Sequence, residues 1–255
     1  MKRRTLLGYA GSGLGAALGV GLAHRAAQAQ TTGVTIRSLG HTAFLFTGGG
    51  RRILVNPFRR VGCTAGFASP AVPADIVMIS SRLFDEGYLA ELPGEPRELT
   101  EAGVYDFENL RIQGILTFHD REGGRRFGTN TVWKWTQGGV TIVHTGGAAA
   151  PLGVEEQILL GRPDVMLVPV GGGPKAYTAA EAVQAVQVLK PKIVIPTHYL
   201  ADVAGEGCEL DPVDDFLALM QGTPVTRASS GSLGIRPGDL PSQGMRIQVY
   251  QYPRA

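Results

Sequence analysis

The order of its strand-forming segments is the feature that most constrains the fold of this chain. Four short β-rich runs come first, at residues 34–38, 43–47, 52–55 and 75–79. A second series follows at residues 110–118, 130–136 and 139–144. Short apolar runs that end at glycine-containing turns are typical of buried strands. We therefore predict two β-sheets, one built from each series.

Helices alternate with strands in the C-terminal half. We predict helices at residues 154–160, 178–189 and 211–220, and strands at residues 165–168 and 193–195. A tail rich in Gly, Ser and Pro (Ser229 to Gly244) then separates the body from a final strand, Met245 to Tyr252. Two sheets packed face to face with helices outside would bury both strand series. The prediction is thus an α/β protein, an αββα four-layer sandwich with its site at the strand ends along one edge.

The first 29 residues have the composition of a targeting segment. Paired Arg3 and Arg4 precede a Gly- and Ala-rich apolar stretch, and Ala27-Gln28-Ala29 follows as an A-x-A cleavage site. This order is typical of a twin-arginine signal peptide. A membrane span would need about 20 strongly apolar residues. We predict a signal peptide at residues 1–29, one domain at residues 30–255, and export to the periplasm or a thylakoid-type lumen.

Removal of the predicted signal peptide reverses the sign of the net charge. The chain has 24 Lys and Arg against 22 Asp and Glu, and four basic residues but no acidic one lie in residues 1–29. The remaining 20 basic residues give residues 30–255 a formal net charge of −2. We therefore expect no nucleic-acid binding. The matured chain is also not expected to be an integral membrane protein, and no protein partner is indicated.

Six short segments carry glycine, proline and histidine motifs in a fixed order. They are Ser38-Leu39-Gly40-His41, Arg52 to Pro57, Phe118-His119-Asp120, Ile142 to Gly146, Asp164 to Gly173, and Lys190 to Tyr199. Together they resemble the metallo-β-lactamase-fold hydrolases, and their order resembles the ascorbate-6-phosphate-lactonase-like branch. The resemblance covers roughly residues 34–220. It implies the αββα fold and metal-dependent hydrolysis.

The resemblance also locates the family's metal ligands, and several are replaced here. The family's T-H-x-H-x-D-H turn reads Ser80 to Glu86 in this chain. Ser81, Leu83 and Glu86 stand at histidine positions, and Gly147 stands at the position of a bridging aspartate. What remains is Asp85, His119 and His198, with Glu86 as a further oxygen donor. The zinc motif is therefore degenerate, and the usual dinuclear site is expected to be largely lost.

Two interpretations of the remaining residues stay open. In one, Asp85, His119 and His198 hold a single divalent ion (zinc, manganese or iron) that supports hydrolysis. In the other, no metal binds, and the domain is a non-catalytic descendant that binds a ligand or a protein. His41 and His144 also fall at family histidine positions. There we expect them to orient other site groups through hydrogen bonds.

Other polar residues near the predicted site allow further roles. Ser81 could act as a nucleophile if a histidine supplied the base, although turn serines are more often simply solvated. Three arginines follow His119 in a glycine-rich segment, and they form a candidate clamp for a small anionic ligand: Arg121, Arg125 and Arg126. The alternative is an ordinary solvated loop.

The two cysteines, Cys63 and Cys208, both lie in loops that the resemblance puts near the site edge. In an exported protein, an even pair favours a disulfide bond. The competing interpretation makes one or both thiolates replacement metal ligands beside the histidines, a combination that zinc accepts.

Overall fold

The structure is a computed structural model, and it describes residues 32–228 and 231–252. The predicted signal peptide lies outside these residues. Within them, no helix combines the length and the apolar character needed to cross a membrane.

The described residues form fourteen strands, three α-helices and two short 3-10 helices. The strands are β1 (Val34–Gly40), β2 (Ala43–Gly48), β3 (Arg51–Val55), β4 (Ile76–Met78), β5 (Arg97–Leu99), β6 (Gly103–Phe107), β7 (Leu110–Phe118), β8 (Thr129–Gln137), β9 (Val140–His144), β10 (Val165–Pro169), β11 (Ile193–Thr197), β12 (Val225–Arg227), β13 (Ser232–Ile235) and β14 (Arg246–Val249). The helices are α1 (Val154–Leu160), α2 (Ala179–Leu189) and α3 (Val213–Leu219), with 3-10 turns at Gly62–Thr64 and Pro237–Asp239.

These strands form two sheets. The six-stranded sheet has the order β13-β1-β2-β3-β4-β5, and the eight-stranded sheet has the order β12-β14-β11-β10-β9-β8-β7-β6. β3 and β4 are parallel, and so are β9, β10 and β11. β7 runs in the same direction as β9, because both are antiparallel to β8. The C-terminal ends of these strands therefore define one edge of the sandwich.

Alternating apolar side chains join the two sheets. Phe44, Phe46 and Ile53 from the first sheet share one buried cluster with Trp133 and Trp135 from the second. The Phe46 and Trp135 rings meet edge to face, 4.9 Å apart. Each fully buried large side chain of this kind contributes about 1.5–3 kcal/mol, so this layer is the main source of cohesion.

The two outer faces are covered differently. α1, α2 and α3 pack on the outer face of the eight-stranded sheet, where Val186 and Phe216 join one cluster with Val143 and Val194. The outer face of the six-stranded sheet is covered in the described residues by loop side chains, chiefly Phe58 and Phe67. The predicted two-sheet sandwich is confirmed. Its helical cover lies on one side only within the described part of the chain.

Candidate metal centre

Five titratable side chains converge at the edge where these strands end. His119 directly follows β7, His198 directly follows β11, and Asp85 and Glu86 lie in the turn after β4. His41 lies in the turn between β1 and β2. Ligands and substrates of α/β folds bind beyond the carboxyl ends of parallel strands, and this cluster occupies that position.

His41 and His198 hold each other in an unusual backbone conformation. Both have positive φ angles, 54° and 52°. The His198 N–H donates to the His41 carbonyl at 3.3 Å, and the two ring centroids are 4.0 Å apart. Left-handed non-glycine residues cost about 1–3 kcal/mol each and concentrate at functional sites. The two turns are therefore shaped to bring these imidazoles together.

Asp85 completes a three-residue group with these two histidines. One ligating atom from each of His41, Asp85 and His198 lies within 4.8 Å of the others. Both histidines are buried and Asp85 is partly buried. Burial, with a smaller electrostatic contribution from the neighbouring His198, lowers the pKa of His41 to about 3. His41 is therefore neutral at pH 7, which is the form that binds a metal ion.

Glu86 and His119 form a separate pair beside this group. The Glu86 Oε2 atom lies 3.0 Å from His119 Nε2, and both side chains are fully buried. Burial alone would raise the pKa of Glu86, but the charge and hydrogen bond of His119 hold it well below its usual value. Burial likewise opposes a charge on His119, yet Glu86 raises its pKa. Each partner therefore favours the charged form of the other.

Several buried polar atoms at the site have no hydrogen-bond partner among the described residues. They are Nδ1 and Nε2 of His41, Nδ1 of His119, Nδ1 of His198, and Oε1 of Glu86. Glu86 Oε1 and His198 Nδ1 are 3.5 Å apart, an electrostatic contact only. Buried unpaired polar atoms are costly, and lone pairs on two histidines near a carboxylate are a donor set that accepts a divalent ion. The residues present therefore fit one metal ion.

The position of the family's bridging aspartate is filled by other groups. A Cβ atom added at Gly147 would overlap the His119 ring and would lie 2.6 Å from Glu86 Oε1. The Gly147 N–H donates to Asn130 Oδ1 at 3.1 Å, which fixes the backbone there. Glu86 and His119 thus occupy the space that a carboxylate at residue 147 would need.

Lys175 also reaches the site, although no sequence pattern predicts it. Its ammonium forms an ion pair with Asp85 Oδ2. Burial and Glu86 both oppose ionisation of Asp85, but Lys175 and the two histidines lower its pKa overall. Lys175 lies between Pro174 and Ala176 in the loop after β10, where no local pattern marks a site residue.

The three arginines of the predicted clamp are engaged elsewhere. Arg121 Nε donates to Glu181 Oε1 at 2.8 Å, and its terminal nitrogens donate to the Gly173 and Ala176 carbonyls, both at 3.0 Å. Arg125 is exposed and lies 4.0 Å from Glu122. Arg126 stacks on the Phe127 ring. Arg121 therefore anchors the loop that carries Lys175.

A single carboxylate organises the loop after His119. Asp120 Oδ1 accepts the N–H groups of Glu122 and Gly124, and its Oδ2 accepts those of Arg126 and Phe127, all at 2.8–2.9 Å. Withdrawal from water alone would raise its pKa, but these four donors lower the pKa of Asp120 to about 2. The segment from residue 121 to residue 128 is thus built around one side chain.

His144 and Ser81 contact other site groups. His144 Nε2 donates to the Thr42 carbonyl at 3.0 Å, and the Gly146 N–H donates to His144 Nδ1 at 3.1 Å. His144 therefore ties the β9 end to the turn that carries His41. Ser81 Oγ donates to Glu86 Oε2 at 3.4 Å and accepts the Leu83 N–H at 3.3 Å. Its hydrogen-bond partners in the described chain are thus a carboxylate and a backbone amide, neither of them a histidine.

Cys63 and Cys208 form a disulfide bond, with Cα atoms 4.9 Å apart. The predicted bridge is confirmed, and bonded sulfurs are not available as metal ligands. The bond joins the loop after β3 to the loop after β11. A backbone hydrogen bond from Gly205 to Gly62, at 3.1 Å, reinforces the same junction.

A two-sheet sandwich with histidines and carboxylates at its strand-end edge is typical of the metallo-β-lactamase fold. A family model described as the beta-lactamase superfamily domain matches residues 35–198. The chain therefore belongs to the β-lactamase superfamily, and its fold is that of the metallo-β-lactamases.

Curated relatives and solved structures agree with this assignment. A UPF0173 metal-dependent hydrolase of Carboxydothermus hydrogenoformans is 28% identical over 194 residues, which cover 64% of this chain and 84% of the relative. One from Thermococcus onnurineus is 28% identical over 195 residues, with 65% and 84% coverage. A Thermotoga maritima protein assigned to the Zn-dependent hydrolases of the metallo-β-lactamase superfamily has a TM-score of 0.67 and 26% identity, covering 86% of this chain and 100% of that one. A metallohydrolase from Ignicoccus hospitalis, at 17% identity and TM-score 0.58, covers 88% of this chain and 97% of its own and shares the fold.

Proposed function

We propose that this chain is a metal-dependent hydrolase that uses one divalent ion, held by His41, Asp85 and His198. The observation that carries the proposal is the approach of one ligating atom from each residue to within 4.8 Å of the others. Two imidazoles and one carboxylate suit zinc, manganese or iron. A single ion is proposed because Ser81, Leu83 and Gly147 stand at three positions where the family resemblance puts ligands of a two-metal site.

This ligand set differs in one member from the set predicted by resemblance. His41 takes the place of His119, because His119 Nε2 is already paired with Glu86. Glu86 remains a further oxygen donor through its unpaired Oε1 atom. His119 then has a different role in the proposal: its contact with Glu86, at 3.0 Å, holds that carboxylate beside the ligand group.

The chemistry divides between the ion and the protein. A divalent ion held by His41, Asp85 and His198 would supply Lewis-acid activation of the scissile group and of a water nucleophile. The protein supplies the rest: the His41 and His198 turns fix the ligands, the contact with His119 holds the Glu86 carboxylate in place, and His144 holds the His41 turn against β9. The resemblance to the ascorbate-6-phosphate-lactonase-like branch makes lactones and phosphate esters the first substrates to assay.

Metal analysis of the purified mature protein tests the proposal. We expect about one equivalent of divalent metal per chain, lost in both His41→Ala and His198→Ala. His119→Ala is the matched control, since it removes a buried site histidine that the proposal does not use as a ligand. Loss of metal in His119→Ala with retention in His41→Ala would restore the ligand set of the resemblance. Absence of metal from the folded wild-type protein would favour the non-catalytic ligand-binding alternative.

Export through the twin-arginine route is part of the same proposal. The paired arginines at residues 3 and 4 and the A-x-A site support it, and the Cys63–Cys208 bond suits an oxidising compartment. The double substitution Arg3→Lys and Arg4→Lys should leave uncleaved precursor inside the cell. Normal maturation of that variant to a chain beginning at Gln30 would contradict the twin-arginine assignment.

A further inference from the structure

Lys175 already supplies a positive charge to the proposed metal site. Its ammonium pairs with Asp85, which is the only carboxylate in the group formed with His41 and His198. The Lys175 side chain is 28% exposed and that of Asp85 is 17% exposed, so both remain partly accessible to solvent. A divalent ion at these ligands would therefore have to share the Asp85 carboxylate with the Lys175 ammonium.

The backbone under Lys175 is fixed to the rest of the site. Gly172 N–H donates to the Tyr177 carbonyl at 2.9 Å, which closes the loop around Lys175. Arg121 holds the carbonyls of Gly173 and Ala176, one on each side of Lys175. Since the backbone is held on both sides, the loop keeps the Lys175 ammonium within reach of Asp85.

The other charges nearby do not neutralise this ammonium. Glu86 is committed to His119, with its Oε2 atom 3.0 Å from His119 Nε2. Glu181 is committed to Arg121 and to the cap of α2. Asp85 is consequently the partner that both Lys175 and a divalent ion would use. An ammonium and a divalent ion about 5 Å apart repel each other even in a water-like dielectric.

We propose that Lys175 is a built-in competitor for the metal ion, which weakens ion binding at His41, Asp85 and His198 and makes loading of the site reversible. This inference rests on the proposed function, since it concerns the same ligands. Neutralising Lys175 should tighten divalent-ion binding about tenfold or more. Keeping its charge should keep binding weak.

Calorimetric titration of the metal-stripped mature protein with ZnCl₂ or MnCl₂ measures this without any assay of activity. The variants are Lys175→Met, which removes the charge and keeps the length, and Lys175→Arg, which keeps the charge. Lys192→Met is the matched control, because Lys192 forms a similar part-buried ion pair with Asp164 at 2.9 Å, away from the site. Circular dichroism confirms that each variant is folded.

Each outcome decides the inference. Tighter binding in Lys175→Met alone, with the wild type also binding one ion, supports both the inference and the proposed function. Binding by the wild type with no change in Lys175→Met overturns the inference and leaves the proposed function standing. Binding by Lys175→Met but not by the wild type supports the inference and overturns the proposed function for the natural chain. If neither the wild type nor Lys175→Met binds an ion, both the inference and the proposed function are overturned.

Discussion

Glu86 and His119 form an ion pair that is completely withdrawn from solvent, with Oε2 and Nε2 3.0 Å apart. Each partner shifts the pKa of the other toward its charged form, against the effect of burial. Because the pKa of Glu86 is lowered on folding, Glu86 stabilises the fold at pH values above 4.5, the pKa of the group in the unfolded chain. Because the pKa of His119 is raised on folding, His119 stabilises the fold at pH values below 6.5, its pKa in the unfolded chain. The pair therefore contributes most to stability between about pH 4.5 and 6.5.

Replacing Glu86 with Gln should reverse the shift at His119. With the carboxylate charge removed, burial dominates, so the pKa of His119 should fall below its ordinary value. The free energy of unfolding should fall by about 1–3 kcal/mol, the range for a disrupted buried charged hydrogen bond. Histidine NMR titration and urea denaturation measure the two effects. Glu101→Gln is the control: its pair with Arg82 is exposed, and it should change stability by less than about 1 kcal/mol. An unshifted His119 in Glu86→Gln would mean that the ion pair does not form.

His144 should make the protein less stable in mild acid. Burial lowers its pKa to about 4, and Nδ1 already accepts the Gly146 N–H, so the folded state resists protonation. The unfolded chain takes up the proton near pH 6.5, and stability should therefore decline as the pH falls from about 6.5 to about 4. At 1.36 kcal/mol per pKa unit the total is about 3 kcal/mol. Urea denaturation at several pH values, compared between the wild type and His144→Gln, isolates this contribution. Equal pH dependence in the two proteins would exclude it.

The Cys63–Cys208 bond should contribute stability mainly through the unfolded chain. It closes a loop with a sequence separation of 145 residues, which corresponds to about 4–5 kcal/mol in the chain-entropy model, with measured values commonly smaller. The double variant Cys63→Ser, Cys208→Ser should unfold at lower urea concentration, as should the wild type after reduction. Thiol titration of the denatured, unreduced protein should find no free thiol. Two free thiols would show that the bond is absent from the purified protein.

Gly147 should not tolerate even one added methyl group. In Gly147→Ala, the new Cβ would overlap the His119 ring and approach Glu86, so we expect a loss of about 1–3 kcal/mol from overpacking. Gly234→Ala is the matched control, because a Cβ at that position on β13 meets no described atom within 4 Å. Thermal denaturation of both variants provides the comparison. A wild-type melting temperature in Gly147→Ala would mean that the Glu86–His119 pair lies elsewhere.

Local pattern is sufficient to predict the two sheets and the position of α2. The runs that became β1 to β4 and β7 to β11 are apolar and end at clear turn residues. The start of α2 agrees with the predicted helix to within one residue, and Thr178 caps it, since its hydroxyl accepts the Glu181 N–H. β13 was missed because it lies in a Gly-, Ser- and Pro-rich segment. It is a strand only through its antiparallel pairing with β1, where Val34 lies opposite Ile235.

The site was harder to predict than the fold, because its members meet only in three dimensions. The resemblance located Asp85, His119 and His198 along the chain. It could not show that His119 Nε2 would pair with Glu86. His41 joins the ligand group because His41 and His198 both adopt left-handed backbone conformations, which no sequence pattern predicts. The position of Lys175 depends on its loop, which is anchored by Arg121, a residue that follows β7 and is distant in sequence. Charge pairing across elements, rather than local propensity, decides these contacts.

The Asp120 loop has a consequence for how this protein can diversify. Its shape depends on one carboxylate and four peptide N–H groups, and every residue except proline supplies such a group. Side chains along residues 122–127 can therefore change without altering the path of the chain, provided that Asp120 and the left-handed glycines at 123 and 124 remain. Because the loop begins beside His119, substitutions in it can change the surface next to the site while the backbone of the fold stays the same.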